Sequence, residues 1–247
     1  MLRAELGAAF MLLSRLPAGR LTSAPHADPA RCVWAYPLVG AVVGGIGAGA
    51  YWLCAWMGLP PSMAAIWTVA VLVLVTGGLH EDGLADTADG FGGGSSAARK
   101  LEIMRDSRIG SYGALALLLS TALRWAALAE LAAPGRVGPA LIAAGALSRG
   151  ALAIPLLALP PARGDGLAAS LLHAALHRVL LAPVVAALIA LAFLPLWSAV
   201  LAAALSGVAA IAATVLARQQ IGGYTGDVLG ACVVVVECLV LSQLAAS

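Results

Sequence analysis

The length of the apolar runs constrains this chain most. Seven stretches, at about residues 33–57, 63–79, 112–133, 139–159, 179–195, 197–217 and 227–245, approach or exceed the roughly 20 residues a helix needs to cross a hydrocarbon layer. Charge is scarce around them. Of the 247 residues 62% are hydrophobic and 11% charged, against about 25% charged in a soluble domain. A soluble body of this size lacks the polar groups to cover itself. The expected fold is therefore all-α: a polytopic integral membrane helical bundle of about seven transmembrane helices, set in a lipid bilayer as one domain over residues 1–247. Residues 1–16 add an N-terminal amphipathic helix, along the surface or partway in. Arg3 and Glu5 break its apolar run too early for a signal peptide. The fifth and sixth stretches meet at Leu194-Pro195-Leu196-Trp197, a tight hairpin or a kink.

Lysine and arginine fix the expected orientation. With the N-terminus inside, the inner side holds Arg3, Arg15, Arg20, Arg31, Arg99, Lys100, Arg105, Arg108, Arg163, Arg178 and Arg218, and the outer side only Arg136. The asymmetry calls for an odd number of spans. It also brings the three longer polar connections, 80–111, 160–178 and 218–226, to the cytoplasmic face. Trp34, Trp52, Trp56, Trp67 and Trp197 fall near span ends, as interfacial anchors do. A net charge of +2 gives no footprint for nucleic acid. Cys32, Cys54, Cys232 and Cys238 show no metal-ligand spacing and read as small core residues.

Six of the twelve acidic residues lie between positions 81 and 106. The segment His80-Glu81-Asp82-Gly83-Leu84-Ala85-Asp86-Thr87-Ala88-Asp89-Gly90 follows an apolar span directly. On a helix Asp82, Asp86 and Asp89 stand at i, i+4 and i+7 and share one face. Three like charges on one stripe repel one another and call for a cation. Oxygen ligands without cysteine favour Mg2+, Mn2+ or Ca2+; Mg2+ takes a few carboxylates and completes its shell with water and substrate phosphate. Glu81, about a quarter-turn away, is a further ligand or a base. Residues 99–108 then bring Arg99, Lys100, Arg105 and Arg108 close together, with Asp106 among them. Lys100, Arg105 and Arg108 are the candidate phosphate clamp, and Asp106 is a further ligand or the base. Metal-bound carboxylates beside phosphate-binding cations form the general arrangement for phosphoryl transfer.

Other positions carry weaker signals. His80 bonds a phosphate oxygen or is an ordinary interfacial histidine. Asp227, in the glycine-rich turn Gly222-Gly223-Tyr224-Thr225-Gly226-Asp227, completes the metal site, contacts the nucleotide or caps the last span. Arg124, Arg149 and Glu237 fall within spans, where ionisable groups are costly and face the interior. Of these Arg149 is the substrate candidate, and Glu237 has no partner that the sequence names. His173 and His177, at i and i+4, read as a solvated helix face.

The run H-E-D-G-L-A-D-T-A-D-G, followed by K-L-E-I-M-R-D-S-R-I-G-S-Y-G, closely resembles the cobalamin-5′-phosphate synthases, or adenosylcobinamide-GDP ribazoletransferases. Shorter matches are S-R-L-P from Ser14, Y-P-L-V-G at Tyr36 to Gly40, and G-G-Y-T-G-D-V-L-G-A at Gly222 to Ala231. Together they cover nearly the whole chain. The resemblance implies a Mg2+-dependent enzyme of the bacterial inner membrane. It would join adenosylcobinamide-GDP to α-ribazole, or to α-ribazole 5′-phosphate, and release GMP. The metal would rest on Asp82, Asp86 and Asp89, with Glu81 a further ligand. The acidic motif is also similar to the CDP-alcohol phosphotransferase signature D-G-x-x-A-R, but Asp86 stands where that arginine would be, so metal geometry does not carry over. A CDP-alcohol phosphotransferase and a divalent-cation transporter are the competing readings. Transporter sites lie near the bilayer midplane, whereas this stripe falls at its border. Homo-oligomerisation is left open.

Overall fold

The computed structural model describes residues 2–21 and 28–247, except the side chains of Arg20, Leu21 and Leu167, so the inward placement expected of Arg20 lies outside the described residues. Among the described residues the chain is helical throughout. In order come α1 (Leu2–Leu13), α2 (Pro29–Cys32), α3 (Tyr36–Trp56), α4 (Pro61–Thr76), α5 (Leu79–Gly93), α6 (Ala97–Ile103), α7 (Ser111–Leu131), α8 (Pro134–Gly150), α9 (Ala153–Ala158), α10 (Leu167–Ser170), α11 (Leu176–Phe193), α12 (Leu196–Ile221) and α13 (Gly226–Ala245). Prolines open α2, α3, α4 and α8 within their first two positions, where a missing N–H is no loss. Glycines in the left-handed conformation close α4 and α12, as usual for helix ends.

Among the described residues six helical stretches are long and apolar enough to cross a membrane: Pro29–Trp56, Ser111–Leu131, Pro134–Ala158, Leu176–Phe193, Leu196–Ile221 and Gly226–Ala245. This polytopic bundle matches the expected spans within a few residues, with one informative difference. The second span stops at Thr76, and the chain turns through 90° into α5. Gly77 and Gly78 make the turn at φ 69° and 70°, a conformation that residues with a Cβ adopt only under strain. Sixteen residues give α4 a length of about 24 Å, short of a full hydrocarbon crossing. The acidic motif is thus a separate helix set across the end of α4. The other break, at Leu194–Pro195, separates α11 from α12 as a hairpin.

Side chains at the helix contacts are small. α3 and α8 make the most extensive contact of the bundle, where Gly40 faces Gly145 so closely that a methyl on either would overlap the other's carbonyl. Val39 of α3 and Ala143, Ala144 and Ala146 of α8 are buried as well. With lipid outside there is no hydrophobic drive between helices, so close backbone packing has to supply the attraction. The outward faces carry the large side chains: Leu118, Leu119, Leu188 and Trp197 are all exposed.

The polar connections gather at one end, as the charge distribution requires. Arg163 Nη2 donates to the Leu101 carbonyl at 2.7 Å, Lys100 Nζ donates to Gln220 Oε1, and Arg105 Nη2 donates to both oxygens of Asp165 at 2.7 Å. Residues 160–162 run beside 224 through paired backbone hydrogen bonds. At the same end α1 is tied down by Glu5, which accepts from Trp34 Nε1 at 3.0 Å and Arg178 Nη1 at 2.7 Å. Arg136 instead reaches the Ser247 carbonyl, at 2.7 Å, at the opposite end. The N-terminal helix and the C-terminus thus lie at opposite ends of the bundle, consistent with an odd number of crossings. His173 and His177 do not share a helix, because the chain breaks between them at residues 174 and 175.

Candidate active site

The site is built around α5, which is wedged between α7 and α13. Gly83 lets α13 in: a Cβ there would stand 2.8 Å from the Asp227 carbonyl. α5 is helical with Asp82, Asp86 and Asp89 at the expected positions, but the three carboxylates have different surroundings.

Asp82 is exposed and Asp86 half-buried. Among the described residues neither side chain has a hydrogen bond or an ion pair. Both line an open cavity of about 640 Å3 that also receives Glu81, Arg15, Arg105, Asp106 and Arg108. Burial and the charges of Asp82, Asp227 and Asp89 push the Asp86 carboxyl up to about 7. An acidic pair in this condition is short of positive charge.

Asp89 does not join them. It is buried, and its two oxygens accept from the backbone N–H groups of Gly110 at 2.7 Å and Gly113 at 2.9 Å. It therefore caps the start of α7, where unpaired N–H groups and the helix dipole attract a carboxylate. A Cβ on Gly110 or Gly113 would collide with the Asp89 carboxylate, which explains the glycine spacing of I-G-S-Y-G. The three aspartates share one face of α5, with Asp82 and Asp86 unpartnered and Asp89 bonded to the start of α7. Glu81 is engaged as well, accepting from the buried Arg124 Nη1 at 2.7 Å. Asp227 lies near this group. It leads α13, accepts from Thr225 Oγ1 at 3.2 Å, and shares the electrostatic environment of Asp82 and Asp86.

Among the described residues no three His, Cys, Asp or Glu side chains converge tightly enough to enclose an ion. Two unpaired carboxylates one helical turn apart, with a third carboxylate near, suit a hard cation that keeps much of its shell for water and substrate oxygens.

The expected cationic clamp is also rearranged. Arg108 Nη2 donates to Asp106 at 2.6 Å, and its Nε reaches both carboxylate oxygens. These bonds, with the Arg108 backbone N–H, hold Asp106 down at about 2. Asp106 lines the cavity as a carboxylate engaged by Arg108. Lys100 and Arg105 are tied to Gln220 and Asp165. Arg149 is buried and donates to Glu237 at 2.6 Å, away from the open cavity. His80 is buried with an unpartnered Nε2, and it lines a different cavity whose walls are mostly apolar. Two other cations lie at this end. Arg15 lines the 640 Å3 cavity without a side-chain partner among the described residues, and Arg163 stands 3.7 Å from Asp227.

The profile of the family described as cobalamin-5-phosphate synthase matches residues 5–245. An adenosylcobinamide-GDP ribazoletransferase of Bradyrhizobium diazoefficiens is 45% identical over 228 residues, covering 92% of this chain and 88% of its own. Those of Azorhizobium caulinodans and Rhizobium etli CIAT 652 are 47% and 43% identical, over 92% and 96% of this chain and 90% and 94% of theirs. The chain belongs to the cobalamin-5-phosphate synthase family. No solved structure matches it.

For this member of the synthase family the fold explains why charge patterning missed Arg15 and Arg163. Both look like ordinary positive-inside residues in the sequence. The usable signal was the short match S-R-L-P, which contains Arg15. Arg163 carries no motif and becomes visible only when the 160–166 connection docks on the turn before α13.

Proposed function

We propose that this enzyme joins adenosylcobinamide-GDP to α-ribazole, or to α-ribazole 5′-phosphate, releasing GMP, with Mg2+ at Asp82 and Asp86 and Asp227 in support. The carrying observation is the pair of unpartnered carboxylates in a cavity of about 640 Å3 that also holds a partner-free arginine. That combination suits a pyrophosphate, whose negative charge needs both a divalent cation and guanidinium groups. The acceptor hydroxyl forms a bond to the phosphorus attached to cobinamide, the anhydride bond to GMP breaks, and the hydroxyl proton passes to water in the open cavity. When bound, Mg2+ supplies charge neutralisation at the phosphate oxygens. Arg15 and Arg163 orient the pyrophosphate. Lys100, Arg105 and Arg108 stabilise the polar loops through their partners. The excess of Lys and Arg at this end supports a cytoplasmic active face in the inner membrane.

The test is GMP release by purified protein in nanodiscs. Activity should require both adenosylcobinamide-GDP and a ribazole, vanish with EDTA, and return with Mg2+. A CDP-alcohol donor should give no transfer. Full activity in EDTA would remove the metal, and transfer from a CDP-alcohol alone would replace the proposed substrate. Arg15→Ala and Arg163→Ala should each raise the KM for the GDP donor about tenfold, the effect of losing one charge-assisted contact. An unchanged donor KM in either variant would remove that arginine from the clamp.

A further inference from the structure

Glu81 and Arg124 have no step in the transfer described above, yet both are held firmly. Arg124 is buried on α7, more than three turns from its start. Its Nε points back to the Ser120 carbonyl at 3.4 Å, and its Nη1 donates to Glu81 Oε1 at 2.7 Å. The other oxygen of Glu81 is buried and has no hydrogen-bond partner among the described residues. One oxygen is thus engaged and the other sealed from the cavity, unlike the open carboxylates of Asp82 and Asp86. Glu81, Ala85 and Asp89 stand four residues apart and form one ridge of α5. That ridge lies along α7. A Cβ on Gly113 would stand 3.0 Å from the Ala85 carbonyl, Asp89 accepts from the N–H groups of Gly110 and Gly113, and Glu81 meets Arg124. The two polar contacts lie about 12 Å apart along α5, far enough to fix both its rotation and its tilt. Asp82 and Asp86 form the next ridge round and open on the 640 Å3 cavity. The helix needs such lateral contacts, because its joint to α4 runs through Gly77 and Gly78, both at positive φ, and glycine is a permissive link.

We propose that Glu81 and Arg124 are positioning residues, a buried pin that sets the rotation of α5 so that Asp82 and Asp86 face the cavity together. This rests on the reading of Asp82 and Asp86 as the cation pair and adds what aims them. Side-chain tips lie about 5–6 Å from a helix axis, so a rotation of about 10° moves a carboxylate about 1 Å, and a displacement of that size can cost on the order of a hundredfold in rate. Apolar packing is non-directional and does not define a rotation that closely. A charge-assisted hydrogen bond between buried partners has one short, aligned geometry and does.

The experiment compares wild type with two double variants in nanodiscs, Glu81→Leu with Arg124→Leu and Glu81→Gln with Arg124→Gln. It measures thermal melting, Mn2+ binding by electron paramagnetic resonance, and kcat for GMP release. Both variants leave Glu237 and Arg149 as a neutral pair, and uncharged replacement of a buried ion pair is often tolerated, so both should melt near the wild-type temperature. The leucine variant loses the directional contact. Its Mn2+ dissociation constant should rise at least about tenfold and its kcat fall by at least a similar factor. The glutamine variant can rebuild an amide hydrogen bond without charge and should recover most of both losses. A leucine variant that binds Mn2+ and turns over like wild type, whatever its melting temperature, would overturn the proposal. A glutamine variant as impaired as the leucine one would also overturn it, making the Glu81 carboxylate itself a ligand or a base. If the leucine variant does not fold, Arg124→Lys keeps the charge and changes the reach, and unchanged Mn2+ binding in it overturns the proposal. The cation reading fails separately, through wild type that binds no Mn2+ or Asp82→Asn that binds it equally well. A loss of kcat in the leucine variant that the glutamine variant restores would then still support the pin.

Discussion

Asp82→Asn and Asp86→Asn enzymes should lose about a thousandfold or more in GMP release while melting at the wild-type temperature. Each substitution removes the charge of a carboxylate that has no protein partner among the described residues, so the fold loses no internal contact. The reaction loses a ligand for the charge-neutralising cation, an effect of several kcal/mol at about 1.4 kcal/mol per tenfold. Removing a like charge beside its neighbours should leave stability unchanged or raise it. Asp89 should behave in the opposite way. Asp89→Ala strands two backbone N–H groups at the start of α7, at a cost of about 1–3 kcal/mol. Asp89→Asn keeps acceptor capacity and should melt between the two. Its turnover should fall only as far as the displaced 106–113 segment disturbs the cavity. Thermal melts and GMP release on the same preparations separate these cases. Near-normal turnover in Asp82→Asn or Asp86→Asn would remove that residue from the cation site. Unchanged melting with abolished turnover in Asp89→Asn would return Asp89 to it.

That contrast marks where the sequence stopped being informative. Apolar run length gave the spans, because crossing a bilayer imposes a length whatever the packing. The Lys and Arg asymmetry gave the common end of the polar loops for a similarly local reason. Helical spacing correctly aligned Asp82, Asp86 and Asp89, but a stripe on one helix face does not say which neighbour each residue meets. The 90° turn at Gly77–Gly78 decides that, aiming Asp89 at α7 and leaving Asp82 and Asp86 open. Charge alone also did not show which protein groups engage Arg105 and Arg108. Their partners Asp165 and Asp106 are respectively 60 and 2 residues away in sequence, and only the folded loops show which of many opposite charges pair. The short motifs proved informative for a physical reason. S-R-L-P, Y-P-L-V-G and G-G-Y-T-G-D bring Arg15, Tyr36 and Asp227 from three distant parts of the chain to the edges of α5.

Glu237→Leu should be among the most damaging single substitutions in the bundle, and adding Arg149→Leu should rescue it. Glu237 lies between two buried guanidinium groups, 2.6 Å from Arg149 and 3.8 Å from Arg124, and Arg124 also holds Glu81 at 2.7 Å. The four form a neutral set of two positive and two negative charges, with both arginines 2% exposed. Removing Glu237 alone leaves an uncompensated buried cation, at a cost of about 3–5 kcal/mol. Removing Glu237 and Arg149 together leaves the neutral pair Arg124–Glu81. Apolar replacement of a buried ion pair is often neutral or stabilising, so the double variant should recover most of the loss in melting temperature and monodisperse yield. It also decides the role of Arg149. If Arg149 serves packing, as its contact with Glu237 argues, the double variant folds and releases GMP with an unchanged donor KM. A folded double variant with a strongly raised donor KM would instead make Arg149 a substrate residue. Failure of the double variant to recover stability would show that the charges are not coupled as a set.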